Sequence, residues 1–76
     1  MKSSYFVITI DLVEKEDYEK VKELISKYEI KSERVKYFKK DDCLEVFLCN
    51  VTWSKAIELT DIILHMTDYE TRLNVL

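Results

Sequence analysis

The sequence contains no glycine and no proline in 76 residues, although average usage of about 7% and about 5% would supply about nine. Phosphate-binding loops, dinucleotide-binding turns and nucleophile elbows need glycine where the backbone turns sharply or approaches a ligand closely. The chain therefore excludes these sites in their usual form, and we expect no bound cofactor.

Histidine and cysteine are scarce as well, with His65, Cys43 and Cys49 as their only members. These residues lack the close ligand spacing of zinc sites. Helical geometry places His65 on the polar side of a predicted helix without a nucleophile or orienting partner. We therefore predict no metal ligand and no catalytic residue, and interpret the protein as non-enzymatic. Six positions along one strand hold the cysteines roughly 20 Å apart, so they are predicted to stay unpaired.

Long apolar runs are absent too. No run approaches the roughly 18 apolar residues that a membrane span needs, and the N-terminus lacks the hydrophobic core of a signal peptide. We expect a cytoplasmic protein without a membrane partner. The chain is 47% apolar and 36% charged, which is typical of a globular protein. Its length fits a single domain over residues 1–76, with a core near the lower limit for independent stability.

Apolar residues change period along the chain and predict six elements. Alternation over residues 5–12 and 71–76 favours strands, while helical spacing favours helices over 15–28 and after the N-cap Thr52. Alternation over 33–39 and 43–50 predicts a hairpin. A two-residue loop at Asp41 and Asp42 would pair Tyr37 with Val46 and Val35 with Leu48.

The order βαββαβ predicts an α+β protein with the ferredoxin-like fold, an antiparallel sheet in the order 4-1-3-2 with both helices on one face. If residues 71–76 form no strand, a βαββα relative remains. The second helix should bury an inner stripe composed of Trp53, Ala56, Ile57, Thr60, Ile63 and Leu64.

Two predicted surfaces are more apolar than a small domain needs. On the second helix, Leu59, Ile62 and Met66 form a ridge beside the inner stripe, which either the C-terminal strand or a partner would cover. The sheet face away from the helices should be polar if solvated, yet it carries aromatic and aliphatic side chains ringed by charges, the anatomy of a protein interface. Its predicted interface residues are Tyr5, Val7, Phe38, Phe47 and Cys49, with Cys43 and Leu76 beside them.

Charge is uneven along the chain, whose formal net charge is −3. Residues 31–40 carry five cations and one acid, and the remainder carries 7 cations and 14 acids. The candidate nucleic-acid contacts are Arg34, Lys36, Lys39 and Lys40. Lysines on an edge strand also guard against aggregation, and Glu45 lies on the face where bases would stack. Nucleic-acid binding is therefore the alternative and not the leading prediction.

The leading prediction is a homodimeric protein-interaction module that binds and occludes a macromolecular partner. The four residue types with GC-rich codons, namely glycine, proline, alanine and arginine, supply only 3 of 76 positions. This scarcity indicates an AT-rich genome. Small acidic domains from such sources favour a phage or mobile-element inhibitor of host machinery, for example an anti-CRISPR protein. A small-ligand sensor with a pocket at the dimer seam is a second alternative.

Overall fold

The fold comes from a computed structural model that describes residues 4–11 and 14–76. The first strand was predicted to reach Leu12, which lies outside the described residues. A short 3-10 turn at Ser32–Arg34 precedes the second strand. The elements are β1 (Ser4–Asp11), α1 (Lys15–Ser26), β2 (Val35–Lys39), β3 (Cys43–Val51), α2 (Trp53–Met66) and β4 (Thr71–Val75).

The four strands form one antiparallel sheet in the order β2-β3-β1-β4. This is the predicted order read from the opposite edge, and the α+β class is confirmed. The fourth strand is also confirmed, since β4 pairs with β1 along its whole length. Both neighbours of β1, namely β3 and β4, come later in the chain.

The β2–β3 hairpin has the predicted register. Val35 lies opposite Leu48 and Tyr37 opposite Val46. The Lys40 amide donates to the Cys43 carbonyl at 2.8 Å, which closes a loop of two residues. The second strand is shorter than predicted because residues 33 and 34 belong to the 3-10 turn.

One hydrophobic core lies between the sheet and the helices. Alternate positions of β1 and β3 supply it, as their period of two requires. Tyr18, Val21 and Ile25 of α1 enter the same cluster as the buried side chains of α2. The helices therefore cover the same face of the sheet. The buried members at its centre include Ile8, Ile10, Leu44, Val46, Leu48 and Ile63.

Helix α2 begins where the sequence predicts but buries a different face. The Thr52 hydroxyl accepts a hydrogen bond from the Lys55 amide at 3.3 Å, so the N-cap is confirmed. The predicted inner stripe is wrong at three positions, because Trp53, Ile57 and Leu64 are exposed. Leu59 takes their place inside at 0% exposure.

The physical reason is a rotation of the buried arc towards Ala56, Leu59, Thr60 and Ile63. Thr60 can lie inside because its hydroxyl donates to the Ala56 carbonyl at 2.8 Å. Trp53 instead packs its ring beside that of Phe6, with centroids 5.6 Å apart.

Strand β3 contains a bulge that the sequence analysis missed. Phe6 pairs with Leu48 but Ser4 pairs with Val51, so β3 has one extra residue in this interval. Asn50 within it has φ of 57°, a left-handed conformation that asparagine tolerates better than most residues. Strict alternation from Leu48 would place Val51 on the outer side of the sheet. The extra residue of the bulge places it on the inner side instead, where it is buried.

Candidate interaction surface

The face of the sheet opposite the helices is called the outer face here, and it contains the predicted sheet interface. In the register of the sheet, Val7 lies between Phe47 of β3 and Asn74 of β4. The alternation of β1, β2 and β3 therefore places the predicted residues on one side, as expected. Their exposure differs greatly, however, and divides the face into two apolar corners.

The first corner consists of Phe38 and Phe47, which meet edge to face. Their ring centroids lie 5.1 Å apart with an interplanar angle of 81°, a favourable arrangement for aromatic quadrupoles. Phe38 is 49% exposed at the sheet edge, while Phe47 is half-buried. The pair presents a preformed aromatic surface to solvent.

The second corner consists of Tyr5 and Leu76. The Leu76 amide donates to the Tyr5 carbonyl at 2.9 Å, which extends the ladder beyond β4. The two residues are 56% and 64% exposed. Large apolar side chains therefore stand at opposite corners of the same face.

Two predicted interface residues contribute less surface than expected. Val7 lies on the predicted face but is only 7% exposed, because it is a small side chain in an interior strand with neighbours on both sides. Cys49 is half-buried. Val7 therefore supports the centre of the face and offers a partner little area.

Charges around the outer face are largely paired within the molecule. Arg72 Nη2 lies 2.9 Å from Asp11 Oδ1, and Lys40 Nζ lies 3.7 Å from Glu45 Oε1. Lys36 is exposed opposite Phe47 in the register. Because the pairs are already formed, a second surface can approach the apolar corners without meeting a block of one charge sign.

The predicted ridge of α2 is not one exposed surface. Leu59 is buried in the core, so its prediction as an interface residue is wrong: the rotation of α2 turns it inward. Ile62 is half-buried, and Met66 is exposed beside a shallow groove that Leu24 also lines. Glu58, one turn before Ile62, accepts a hydrogen bond from Tyr28. This flank therefore faces α1 and its C-terminal extension rather than β4.

The candidate nucleic-acid residues do not form one cationic strip. Arg34 donates to the Asn50 carbonyl at 3.0 Å, and Lys40 pairs with Glu45. Strand alternation sends Lys36 to the outer face and Lys39 to the helix side, where its Nζ lies 4.9 Å from the Tyr18 ring centroid. The basic segment is thus divided between two faces.

The cysteines are both free and half-buried, as predicted. Desolvation raises the pKa of Cys43, with smaller contributions from Asp42, Glu45 and Asp11. A raised pKa leaves less thiolate at neutral pH and lowers reactivity. Cys43 is therefore not an activated nucleophile.

His65 has a local backbone contact, since its Nδ1 lies 2.7 Å from the Asp61 carbonyl oxygen one turn earlier. Over residues 4–11 and 14–76, no group of three or more His, Cys, Asp or Glu side chains is arranged to hold a metal ion. In the same described segments, no helix has the length and apolarity needed to cross a bilayer.

A groove that was not predicted from the sequence lies between α1 and β2. One end of it, of about 260 Å³, is lined by Lys15, Lys22 and Lys39 together with Tyr18, Tyr37, Glu19 and Leu44. Lys15 and Lys22 are seven residues apart and so share a helix face, while Lys39 has the inward parity of β2. The spacing of these lysines could have predicted the groove from the sequence. The basic run of residues 31–40 instead favoured a cationic site on β2 alone.

Comparison with known proteins adds no relative: no family model, no curated protein and no solved structure matches the chain.

Proposed function

We propose that the protein is a non-enzymatic interaction module of the ferredoxin-like fold that forms a homodimer through the outer face of its sheet. The βαββαβ order and the sheet order β2-β3-β1-β4 support the fold assignment. Two helices on one face leave the other face of the sheet available for contact.

The observation that carries this proposal is the exposed Phe38 held edge to face against Phe47. An antiparallel sheet with one solvated face normally shows polar residues there. Apolar side chains at two corners, with Tyr5 and Leu76 at the second, are characteristic of a contact surface. A two-fold axis would place the same patch of each copy against its equivalent.

Dimerisation also compensates for the small size of the chain. A domain of this length buries only about 60% of the surface of its unfolded chain, and a second copy adds apolar burial at roughly 25 cal/mol per Å². The dimer would act by covering the surface of a partner macromolecule. Its origin as a phage or mobile-element inhibitor, such as an anti-CRISPR protein, rests on size, charge and composition alone.

Sedimentation velocity tests the proposal directly. We expect the wild type to sediment as a dimer at tens of micromolar, and Phe38→Glu to sediment as a monomer with an unchanged circular dichroism spectrum. Phe38 is half exposed at a sheet edge, so the substitution removes little core packing. Met66→Glu is the matched control, since it places the same charge on an exposed apolar position of α2. A wild type that stays monomeric, or a Phe38→Glu variant that stays dimeric, would contradict the proposal.

A further inference from the structure

We infer that the open edge of β2 and the adjoining groove beneath α1 form a binding site for an extended peptide strand that carries an acidic side chain two positions from a large apolar one. This site lies on the helix side of the sheet, apart from the outer face. It stands whether or not the dimer forms.

The backbone of β2 offers the hydrogen bonds that such a strand needs. The Lys40 amide donates to the Cys43 carbonyl. This bond shows which residues of β2 direct their backbone groups towards β3 and which direct them away. Alternation of bonding in an antiparallel pair then directs the N–H and C=O groups of Tyr37 and Lys39, and the C=O of Val35, away from β3, while the Val35 amide donates to the Ser32 carbonyl of the 3-10 turn. Since β2 is the last described strand on its side, these groups face an open edge. Addition of a strand to such an edge is a recurring mode of peptide recognition.

The same three residues direct their side chains towards α1, so the groove lies beside the open backbone groups. Near Val35 and Tyr37 it is apolar, with a volume of about 290 Å³ and Ile25 and Ile30 in its lining. A residue that pairs with Tyr37 in an added strand would project its side chain towards this end.

The other end of the groove is cationic. Lys15, Lys22 and Lys39 line it, and none of them forms an ion pair with a carboxylate of the described residues. Lys22 Nζ instead lies 5.6 Å from the Tyr37 ring centroid. One carboxylate, Glu19, lines this end, so the cations exceed the local acid by two. A residue that pairs with Lys39 is therefore favoured if it is acidic.

A second copy of the chain does not fit this edge. Antiparallel pairing of β2 with its equivalent, centred on Tyr37, would place Lys40 of each copy opposite Arg34 of the other and would bring the two Lys36 side chains into diagonal positions on one face. Like charges opposite each other destabilise strand pairs. These cations therefore disfavour pairing with a second copy of β2 and favour pairing with an acidic strand. The occupant is accordingly another polypeptide of complementary charge.

Blocked synthetic peptides test the site on the full chain. In antiparallel addition, peptide TETLTVT places its glutamate opposite Lys39, its leucine opposite Tyr37 and its valine opposite Val35. Titration calorimetry should show binding that weakens roughly tenfold for TKTLTVT, because a repulsion replaces an attraction at one position. N-methylation of the leucine amide should abolish binding, whereas N-methylation of the threonine that follows it, whose amide points away from β2, should not.

Two charge reversals on the same strand separate the groove from general electrostatics. Lys39→Glu should weaken TETLTVT and strengthen TKTLTVT, while Lys36→Glu, which changes the net charge equally but lies on the outer face, should leave both affinities within about twofold. Equal binding of the two peptides by the wild type would overturn the inference. Equal losses in the two variants, or binding that survives N-methylation of the leucine, would overturn it as well.

Discussion

Tyr28 joins two segments that are distant in the sequence, namely the end of α1 and helix α2. Its hydroxyl donates to the carboxylate of Glu58 on α2, and the ammonium of Lys55 lies 5.0 Å from its ring centroid. Lys55 Nζ also lies 3.4 Å from a carboxylate oxygen of Glu29. Desolvation and the nearby Glu58 raise the pKa of Tyr28 from 10.0 to about 12. A residue just beyond α1 therefore helps to hold α2 in place.

The raised pKa predicts a loss of stability in alkali. The unfolded chain loses the Tyr28 proton near pH 10.0 while the folded chain keeps it to about 12, so the contribution is complete below pH 10 and disappears as the pH rises to about 12. Urea unfolding across this range should show a shallower decline for Tyr28→Phe than for the wild type. Tyr5→Phe, on the exposed corner of the outer face, is the control. Parallel pH profiles for Tyr28→Phe and the wild type would contradict the assignment.

At the scale of elements, the sequence predicted the pattern of the sheet better than the rotation of α2. The hairpin register followed from parity, because a slip of one residue would reverse every side chain of the strand. Helix α2 has apolar residues around much of its circumference, so its own pattern fits two rotations. Packing against Phe6 and the core selects the one that buries Leu59.

Paired truncations measure this rotation. Leu59→Ala should cost about 2–5 kcal/mol, the usual range for a fully buried leucine, whereas Leu64→Ala at 42% exposure should cost less than about 1 kcal/mol. Chemical denaturation of both variants provides the comparison, and the matched substitution cancels the difference in helix propensity. A larger loss for Leu64→Ala than for Leu59→Ala would favour the stripe inferred from the sequence.

The bulge in β3 was beyond the reach of alternation alone. The pattern over residues 43–50 is regular, and the extra residue appears only when β1 pairs alongside. The sequence signal for the bulge was Asn50, because asparagine adopts a left-handed conformation more readily than most residues and the chain has no glycine. The outer face was predictable by parity, but the burial of Val7 depends on both neighbouring strands.

Asn50 should therefore tolerate glycine but not a β-branched residue. We expect Asn50→Val to destabilise the fold by about 1–2 kcal/mol, because a left-handed φ brings its Cβ towards the following carbonyl. Asn50→Gly should leave the free energy of unfolding nearly unchanged, since glycine adopts this conformation freely. Thermal and urea unfolding report both effects. A valine variant as stable as the wild type would indicate that β3 runs without the bulge.

At the scale of the whole molecule, the distribution of charge bears on the nucleic-acid alternative. Arg34 and Lys40 are occupied by contacts within the chain, and Lys36 and Lys39 lie on opposite faces. The net charge of −3 adds a repulsive background for phosphates. Few of these cations can therefore contact the phosphate backbone of one nucleic-acid strand.

Any affinity for nucleic acid should accordingly be weak and sensitive to salt. Fluorescence anisotropy with single-stranded RNA and DNA should show binding at low ionic strength that vanishes near physiological salt, where the Debye length is about 8 Å. Submicromolar binding that persists at physiological salt, and is lost when Arg34→Ala is combined with Lys36→Ala, would make nucleic-acid recognition the leading function.

The central position of β1 has a consequence for how the protein is made. Its neighbours β3 and β4 both follow it in the chain, so β1 leaves the ribosome before either pairing edge exists. Until then its alternating apolar residues have only transient contacts, which exposes a strand with a tendency to aggregate. Synthesis of β4 completes the sheet around β1, and β1 becomes protected from association with other nascent polypeptides only after β4 has left the ribosome.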